Sequence, residues 1–293
     1  MNRVERKIRN ILRKRGNEYL GQFPQIAQFA FDDLAIEVNL MGRYEREELA
    51  ALEKQVLPNM PDRRVCLDIG ANIGNHSLFF AEHFAEVIAF EPNPRTFRLL
   101  QFNSELADNI RPVNMGASDA KGAVTAQVDH TNIGATTTDE ALRLKHLNSK
   151  LSQVTFQLDC IDSILGVRAD IDFIKLDVEG HELKALHGCK DTLAASNAVI
   201  AFEAHADSFS NGTSEVMEFL RDLGYRHFHS LPGKQPDPLR RWPKAIRKLA
   251  AMLPESPAAE RGLTEIKTFG KYFYPMIMAS RNQILVIDDT LRP

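Results

Sequence analysis

Three carboxylates and two glycines, set where short apolar runs end, are the residues of this chain best placed to do chemistry. Val65-Cys-Leu-Asp-Ile69 runs into the turn Gly70-Ala-Asn-Ile-Gly74, and Val87-Ile-Ala-Phe90 ends at Glu91. Ile171-Asp-Phe-Ile-Lys-Leu176 ends at Asp177, and Ala198-Val-Ile-Ala-Phe202 ends at Glu203. Glycine at 70 and 74 lets the backbone turn sharply and approach a ligand that a Cβ would exclude. The helix start beyond it offers unpaired N–H groups. Glu91 follows Gly70 at the interval where nucleotide-binding α/β folds carry a carboxylate for ribose hydroxyls. Asp68, inside the turn's strand, is suited to hold the loop or to meet a ligand amino group through a water. The spacing is Gly-x-x-x-Gly, so the Gly-x-Gly-x-x-Gly fingerprint for a dinucleotide pyrophosphate is not met. A NAD(P)-dependent oxidoreductase is therefore the alternative reading, and a binding module without chemistry is a second.

Beyond the other two strand ends lie more reactive groups: Glu179, Gly180 and His181 after Asp177, and His205 after Glu203. Ligands of open parallel sheets sit at the carboxyl ends of the strands. Asp177, Glu179, His181 and Glu203 are thus the catalytic candidates, with His205 beside them as a substrate contact. Asp177, which closes an apolar strand, is the preferred base or acceptor-positioning group. Glu179 reads equally as a helix N-terminal carboxylate held by backbone N–H groups, and His205 as a hydrogen-bonded loop histidine. An acid such as Glu203 at the end of a buried strand needs a partner. The acids are hard oxygen donors of the kind Mg²⁺ takes, but nothing in the sequence demands a metal and none is assigned.

These groups need a frame that brings strand ends together. Apolar runs alternate with helical stretches at about Pro94–Leu106, Glu182–Leu193 and Glu215–Leu223, the rhythm of a parallel sheet with crossovers. Arg111–Met115 and Val154–Leu158 read as further strands, and Tyr225–Leu231 with Gln283–Ile287 as a closing antiparallel pair. The expected fold is α/β: a doubly wound, seven-stranded, mostly parallel Rossmann-like sheet with helices on both faces. Residues 1–60 read as a mostly helical extension outside the sheet, 61–293 as the main domain, and 232–275, rich in Pro and basic residues, as an insertion or lid.

Asp68-Ile-Gly-Ala-Asn-Ile-Gly-Asn75, Ala89-Phe-Glu-Pro-Asn-Pro94, Leu158-Asp159 and Phe173-Ile-Lys-Leu-Asp-Val-Glu-Gly-His-Glu182 resemble, in order and spacing, the successive blocks of the FkbM-type methyltransferases. The resemblance covers about residues 63–205. It implies the class I methyltransferase fold and S-adenosyl-L-methionine as cofactor, with S-adenosyl-L-homocysteine as product. It places Asp68, Gly70, Asn72, Gly74, Asn75, Glu91, Pro92, Asn93, Ser118 and Asp177 around that cofactor. It also implies transfer to a hydroxyl of a sugar in a glycan or glycolipid, or of a polyketide or other small molecule. Asp129–Thr138 resembles the family's Asn-x-Gly-x-x-Ser/Thr segment, which would set Asn132 and Thr137 near the acceptor; the same residues read equally as an exposed loop.

Composition narrows the class without choosing the substrate. With 44% hydrophobic and 26% charged residues the chain is an ordinary globular protein. A net charge of −3, and the lack of an Asn/Asp-Pro-Pro-aromatic block, speak against a nucleic-acid acceptor. Three scattered cysteines read as reduced thiols, and no apolar run is long enough to span a membrane, which points to the cytoplasm. Two basic segments, 3–15 and 240–248, stand out; the second could form an amphipathic helix on an anionic membrane, or a lid helix with its charges in water.

Overall fold

The computed structural model describes residues 2–129, 136–137, 151–230 and 262–283. Three helices open the chain: α1 (Arg3–Tyr19), α2 (Asp33–Met41) and α3 (Arg46–Gln55). They are followed by β1 (Val65–Ile69), α4 (Asn75–Ala81), β2 (Glu86–Phe90), α5 (Pro94–Ser104) and β3 (Ile110–Val113). Four short-sheet strands come next, β4 (Gly116–Ala117), β5 (Gly122–Asp129), β6 (Thr136–Thr137) and β7 (Leu151–Asp159). Then α6 (Ile161–Leu165), β8 (Ile171–Leu176), α7 (Glu182–His187), α8 (Lys190–Ala195), β9 (Val199–Ala204) and α9 (Glu215–Asp222) lead to β10 (His227–Ser230), β11 (Thr264–Glu265) and β12 (Tyr274–Ser280).

The main sheet has the order β11-β10-β12-β9-β8-β1-β2-β3. Its five strands from β9 to β3 are parallel, and β12 and β10 close it antiparallel. The expected doubly wound α/β architecture is therefore present, with eight strands where seven were expected, because β11 adds to the edge beyond β10. Strand β1 shows why both faces are covered: Val65, Leu67 and Ile69 face a core built with Leu186, Leu193, Met217 and Leu220 of α7, α8 and α9. Cys66 faces the opposite core, where Leu49 and Leu52 of α3 meet Phe79 and Phe80 of α4. The chain before residue 60 thus supplies one of the layers on the sheet.

Three expectations are corrected. The partner of β10 is β12, not Gln283–Ile287; Gln283 is in no strand, and residues 284–287 lie outside the described residues. Val154–Leu158 does not join the main sheet but pairs antiparallel with β5 in a second sheet of order β4-β7-β5-β6. Gly122–Asp129, whose apolar residues alternate only in part, supplied the unforeseen partner. The helix expected over Glu182–Leu193 breaks at Gly188, where an added Cβ would stand 1.8 Å from the Ser118 carbonyl oxygen. Of the expected 232–275 insertion, residues 232–261 lie outside the described residues, and the remainder supplies β11 and the start of β12.

The parallel strands β1, β2 and β8 are locked where they end. The Gly70 and Ala71 N–H groups both donate to the Phe90 carbonyl, at 3.0 and 2.9 Å, and Asp177 N–H donates to the Ile69 carbonyl at 3.0 Å. Gly70 sits at φ +82°, and a Cβ there would stand 1.8 Å from the Asp177 carbonyl oxygen. The close approach at Gly70 is chain against chain. Gly70→Ala combines a left-handed backbone with a backbone clash, so it should lower unfolding stability by ~3 kcal/mol or more. Urea denaturation of parent and variant without ligand checks this; equal midpoints would mean that the turn relaxes at no cost.

Candidate functional site

The locked strand ends border a cavity of about 280 Å³. Gly70, Asn72, Glu91 and Pro92 form one wall, and Asp177, Glu179 and His181 another. Val124, Phe156 and Leu158 of the second sheet complete it, so the segment between β3 and β8 serves as a cover. Phe156 in turn packs against Phe29 from the N-terminal segment.

Glu91 is built into the turn. Its Oε2 accepts the Asn72 N–H at 3.0 Å and its Oε1 accepts the Asn93 N–H at 2.8 Å. Each oxygen keeps a lone pair, which is what a vicinal diol such as a ribose needs. Burial pushes its carboxyl up to about 7 against the lowering effect of those two hydrogen bonds. Asp68 is wholly buried: its Oδ2 accepts from Ser77 Oγ at 2.6 Å, while Oδ1 accepts no hydrogen bond and lies 3.7 Å from Lys175 Nζ. A buried carboxylate oxygen without a donor suits the ammonium end of an amino-acid-bearing ligand. The residues present therefore fit a nucleoside joined to an amino acid.

The expected cofactor residues divide in two. Gly70, Asn72, Glu91, Pro92 and Asp177 line the cavity. Asp68, Gly74, Asn75, Asn93 and Ser118 stand behind it. Gly74, at φ +91°, starts α4, and a Cβ there would press Leu100 Cδ1 at 2.9 Å. The Asn75 amide is spent on the Tyr44 backbone, accepting its N–H and donating to its carbonyl, both at 3.2 Å. Asn93 Oδ1 caps α5 through the Arg95 N–H at 3.0 Å. Ser118 Oγ lies 3.0 Å from His181 Nε2.

The acidic strand ends meet around a cation that the sequence reading did not single out. Lys175 Nζ donates to Asp177 Oδ2 at 3.1 Å and to the Gly70 carbonyl at 3.3 Å. Burial by itself would strip its charge, but Asp177 and Asp68, with Glu45, outweigh that and hold the ammonium protonated. An ion inside the apolar run Ile171–Leu176 was the signal for it, since such an ion needs partners. Tyr44 and Glu45 were also missed, and no local pattern marks them. Glu45 shares a small recess with Lys175, Asp177 and Glu203. The Tyr44 phenol is kept neutral by burial first, then by the carboxylates of Glu45, Glu37, Asp177 and Glu203.

Glu203 and Glu179 are also perturbed. Burial, then the Asp177 and Glu179 charges, push Glu203 up to about 9. Burial, then Asp177 and Glu182, push Glu179 up to about 7. Glu179 is not the carboxylate that accepts the turn's N–H groups. That role belongs to Glu182, whose Oε1 accepts from Gly180 N at 3.1 Å and Val178 N at 3.4 Å. Glu179 is thereby left facing the cavity at φ +51°, a backbone that costs about 1 kcal/mol or more for a residue with a Cβ. His205, half exposed, places Nε2 at 3.1 Å from Glu203 Oε1 and 3.9 Å from Glu179 Oε2. His181 is apart from this group: burial and then Lys184 lower its pKa, and its other charged neighbour is Asp119. Asn132 lies outside the described residues, and Thr137 pairs with Gln127 at the edge of the second sheet. Among the described residues no three His, Cys, Asp or Glu side chains form a group that could hold a metal ion.

Such a sheet, with a buried carboxylate after β2 and an acid-lined cavity at its carboxyl edge, has the fold of the Rossmann-like methyltransferases. Residues 68–227 match the methyltransferase FkbM domain, and the chain belongs to that family. It is 32% identical over 146 residues to the hexuronic acid methyltransferase AglP of Haloferax volcanii, covering 48% of this chain and 56% of that protein. It is 28% identical over 184 residues to methyltransferase 1 of Beauveria bassiana, covering 55% of this chain and 74% of that protein. The crystal structure of a methyltransferase FkbM from Methylobacillus flagellatus superposes with a TM-score of 0.42 at 14% identity, covering 89% of this chain and 57% of that one. The chain thus spans little more than half the length of the archaeal relative it matches.

Glu91, Glu179 and Glu203 all have pKa values raised above the ordinary 4.5. Protonation favours the folded state for each, so their contribution to stability is complete below about pH 4.5 and lost as pH rises through about 7 and then 9. Unfolding stability without ligand should therefore fall from pH 5 to pH 9. Glu203→Gln should flatten the upper part of that fall and exceed the parent at pH 9 by on the order of 2 kcal/mol. Urea midpoints at the two pH values measure it, and a parent as stable at pH 9 as at pH 5 would remove the burial argument.

Proposed function

We propose that the protein transfers a methyl group from S-adenosyl-L-methionine to a sugar hydroxyl of a glycan or glycolipid, forming a methyl ether. The observation that carries this reading is the group Asp177, Glu179, Glu203 and His205 beside the cavity, a polar, proton-accepting surface suited to a hydroxyl-rich acceptor. The hexuronic acid methyltransferase among the relatives supports a sugar acceptor.

When bound, the cofactor supplies an electrophilic methyl on a sulfonium, whose sulfur keeps the bonding pair. Glu91 would accept the ribose hydroxyls with the lone pairs its backbone donors leave free, and Asp68, buried behind the cavity wall, would reach the ammonium only through a water. Asp177, with Oδ2 held by Lys175, serves to orient the acceptor. Glu179 is the better base: its carboxyl titrates at about 7, near the optimum for proton transfer at neutral pH. It takes the hydroxyl proton as the oxygen gains the methyl, and His205 links that proton to solvent. His181, hydrogen-bonded to Ser118, shapes the wall of the cavity.

Two variants separate binding from catalysis. Glu91→Ala should weaken S-adenosylhomocysteine binding in calorimetry by about tenfold or more, because hydrogen bonds to a charged group contribute ~1.5–3 kcal/mol. Glu179→Gln should lower kcat by about 100-fold with that affinity nearly unchanged, since the lost contact belongs to the transition state. Unchanged kcat in Glu179→Gln with a 100-fold loss in Asp177→Asn would return the base to Asp177. For the acceptor, glycans incubated with enzyme and labelled cofactor should gain one methyl that survives mild alkali. An alkali-labile label would indicate a carboxyl ester, and label confined to non-carbohydrate products would move the acceptor to another class.

A further inference from the structure

Helix α1 is specified by its own sequence yet has no packed face. Its start is a capping box: Glu5 N–H donates to Asn2 Oδ1 at 2.9 Å and Asn2 N–H to Glu5 Oε2 at 2.8 Å. Every residue from Arg3 to Lys14 is exposed. Among the described residues the helix meets the body through its last turn, where Tyr19 packs edge-on against Phe23 at 5.6 Å and Arg46 lies over the Tyr19 ring at 5.3 Å. A helix of this length that, among the described residues, buries only its last turn is marginal in water, since most helical stability comes from packing an apolar face.

That face exists. Val4, Ile8, Ile11 and Leu12 fall within a stripe about 100° wide, and each is between 41% and 65% exposed. Arg3, Arg6, Lys7, Arg9, Arg13 and Lys14 occupy the rest of the circumference, so α1 concentrates positive charge in a chain whose net charge is −3. The segment that follows adds exposed Leu20, and Phe31 at 92% exposure on a loop with φ +68°.

We propose that α1 lies in the plane of an anionic lipid membrane, its aliphatic stripe in the acyl boundary and its cations among the headgroups. A helix with one aliphatic face and a Lys/Arg-rich remainder has the form of an interfacial anchor. A second copy of α1 is disfavoured as the occupant, because pairing two such helices would bring like charges together. A nucleic acid would answer the cations but leave the aliphatic stripe in water. The helix is not long and apolar enough to cross a membrane, so the attachment is peripheral and salt-sensitive.

Flotation of the full chain with phosphatidylcholine vesicles, with and without about one-third phosphatidylglycerol, tests the proposal. The parent should float with the anionic vesicles, remain behind with the neutral ones, and release at about 1 M salt. Arg6→Glu/Lys7→Glu/Lys14→Glu should weaken flotation by about 100-fold or more, as each cation near an anionic surface strengthens binding roughly fivefold. Ile8→Asp/Ile11→Asp should also abolish it, although the cations remain. Both variants should bind S-adenosylhomocysteine as the parent does, which shows that the body is folded. The proposal is overturned if the parent stays behind with anionic vesicles, floats equally with neutral ones, or floats undiminished in either variant. It is likewise overturned if the stripe variant converts a dimer of the parent to a monomer, or if single-stranded RNA binds the parent and the stripe variant leaves that binding and the flotation intact.

Discussion

A single buried ammonium organises the carboxyl edge of the sheet. Lys175 projects from the middle strand β8 and draws together Asp177 at the end of its own strand, Asp68 of β1 and the carbonyl of Gly70 in the turn between β1 and α4. Breaking a buried ion pair by removing one partner leaves an uncompensated charge, usually at a cost of ~3–5 kcal/mol. The cation also neutralises part of a cluster to which Glu45, Glu179 and Glu203 contribute, and so fills the electrostatic role a divalent metal plays between converging acids elsewhere.

The neutralisation is incomplete, and that is its chemical use. One ammonium faces several carboxylates, and burial, followed by the charges of neighbouring acids, lets Glu179 and Glu203 keep their protons to higher pH. Asp177 is hydrogen-bonded to the cation, whereas Glu179 and Glu203 are pushed to about 7 and about 9. The same neighbourhood holds left-handed backbones at Glu45, Asn72 and Glu179, three of the five such non-glycine residues described. Strain of this kind persists where surrounding structure over-determines it. Here the strand ends, the Glu182 carboxylate beneath the turn and the helix start at Asn75 do so.

Much of this was readable from residue order alone, because parallel strands with apolar interiors announce their own ends. The turn at Gly70, the carboxylate at Glu91 and the acids after β8 and in the last residues of β9 followed from that rule. What was not readable had tertiary causes. Val154–Leu158 has a strand's pattern, but which sheet it joins depends on Gly122–Asp129, whose alternation is weak. Gly70 looked like a ligand contact, and only the position of the Asp177 carbonyl reveals the chain-on-chain reason. Glu179 read equally as a site acid and as the carboxylate capping the turn, and the hydrogen bonds give the capping role to Glu182. Tyr44 and Glu45 sit in the turn between α2 and α3, far from any motif, and reach the site because α3 packs on the sheet.

The N-terminal segment is stitched to the turn by asparagine side chains. Asn103 Nδ2 donates to the carbonyls of Ala27 and Ile73 at 2.9 and 2.7 Å while its Oδ1 accepts the Ala27 N–H at 2.7 Å, and Asn75 grips Tyr44 in the same reciprocal manner. Neither clamp depends on the identity of the residue whose backbone it holds. The clamps themselves place no demand on the side chains at 27 and 44 as long as the path of the chain is kept, whereas they require the two asparagines. A lineage can thus redraft side chains of the leading segment without disturbing the turn at Gly70–Gly74 that the clamps hold. A chimaera of two such enzymes would tolerate a junction within the leading segment, provided the asparagine clamps stay with the half that carries the turn.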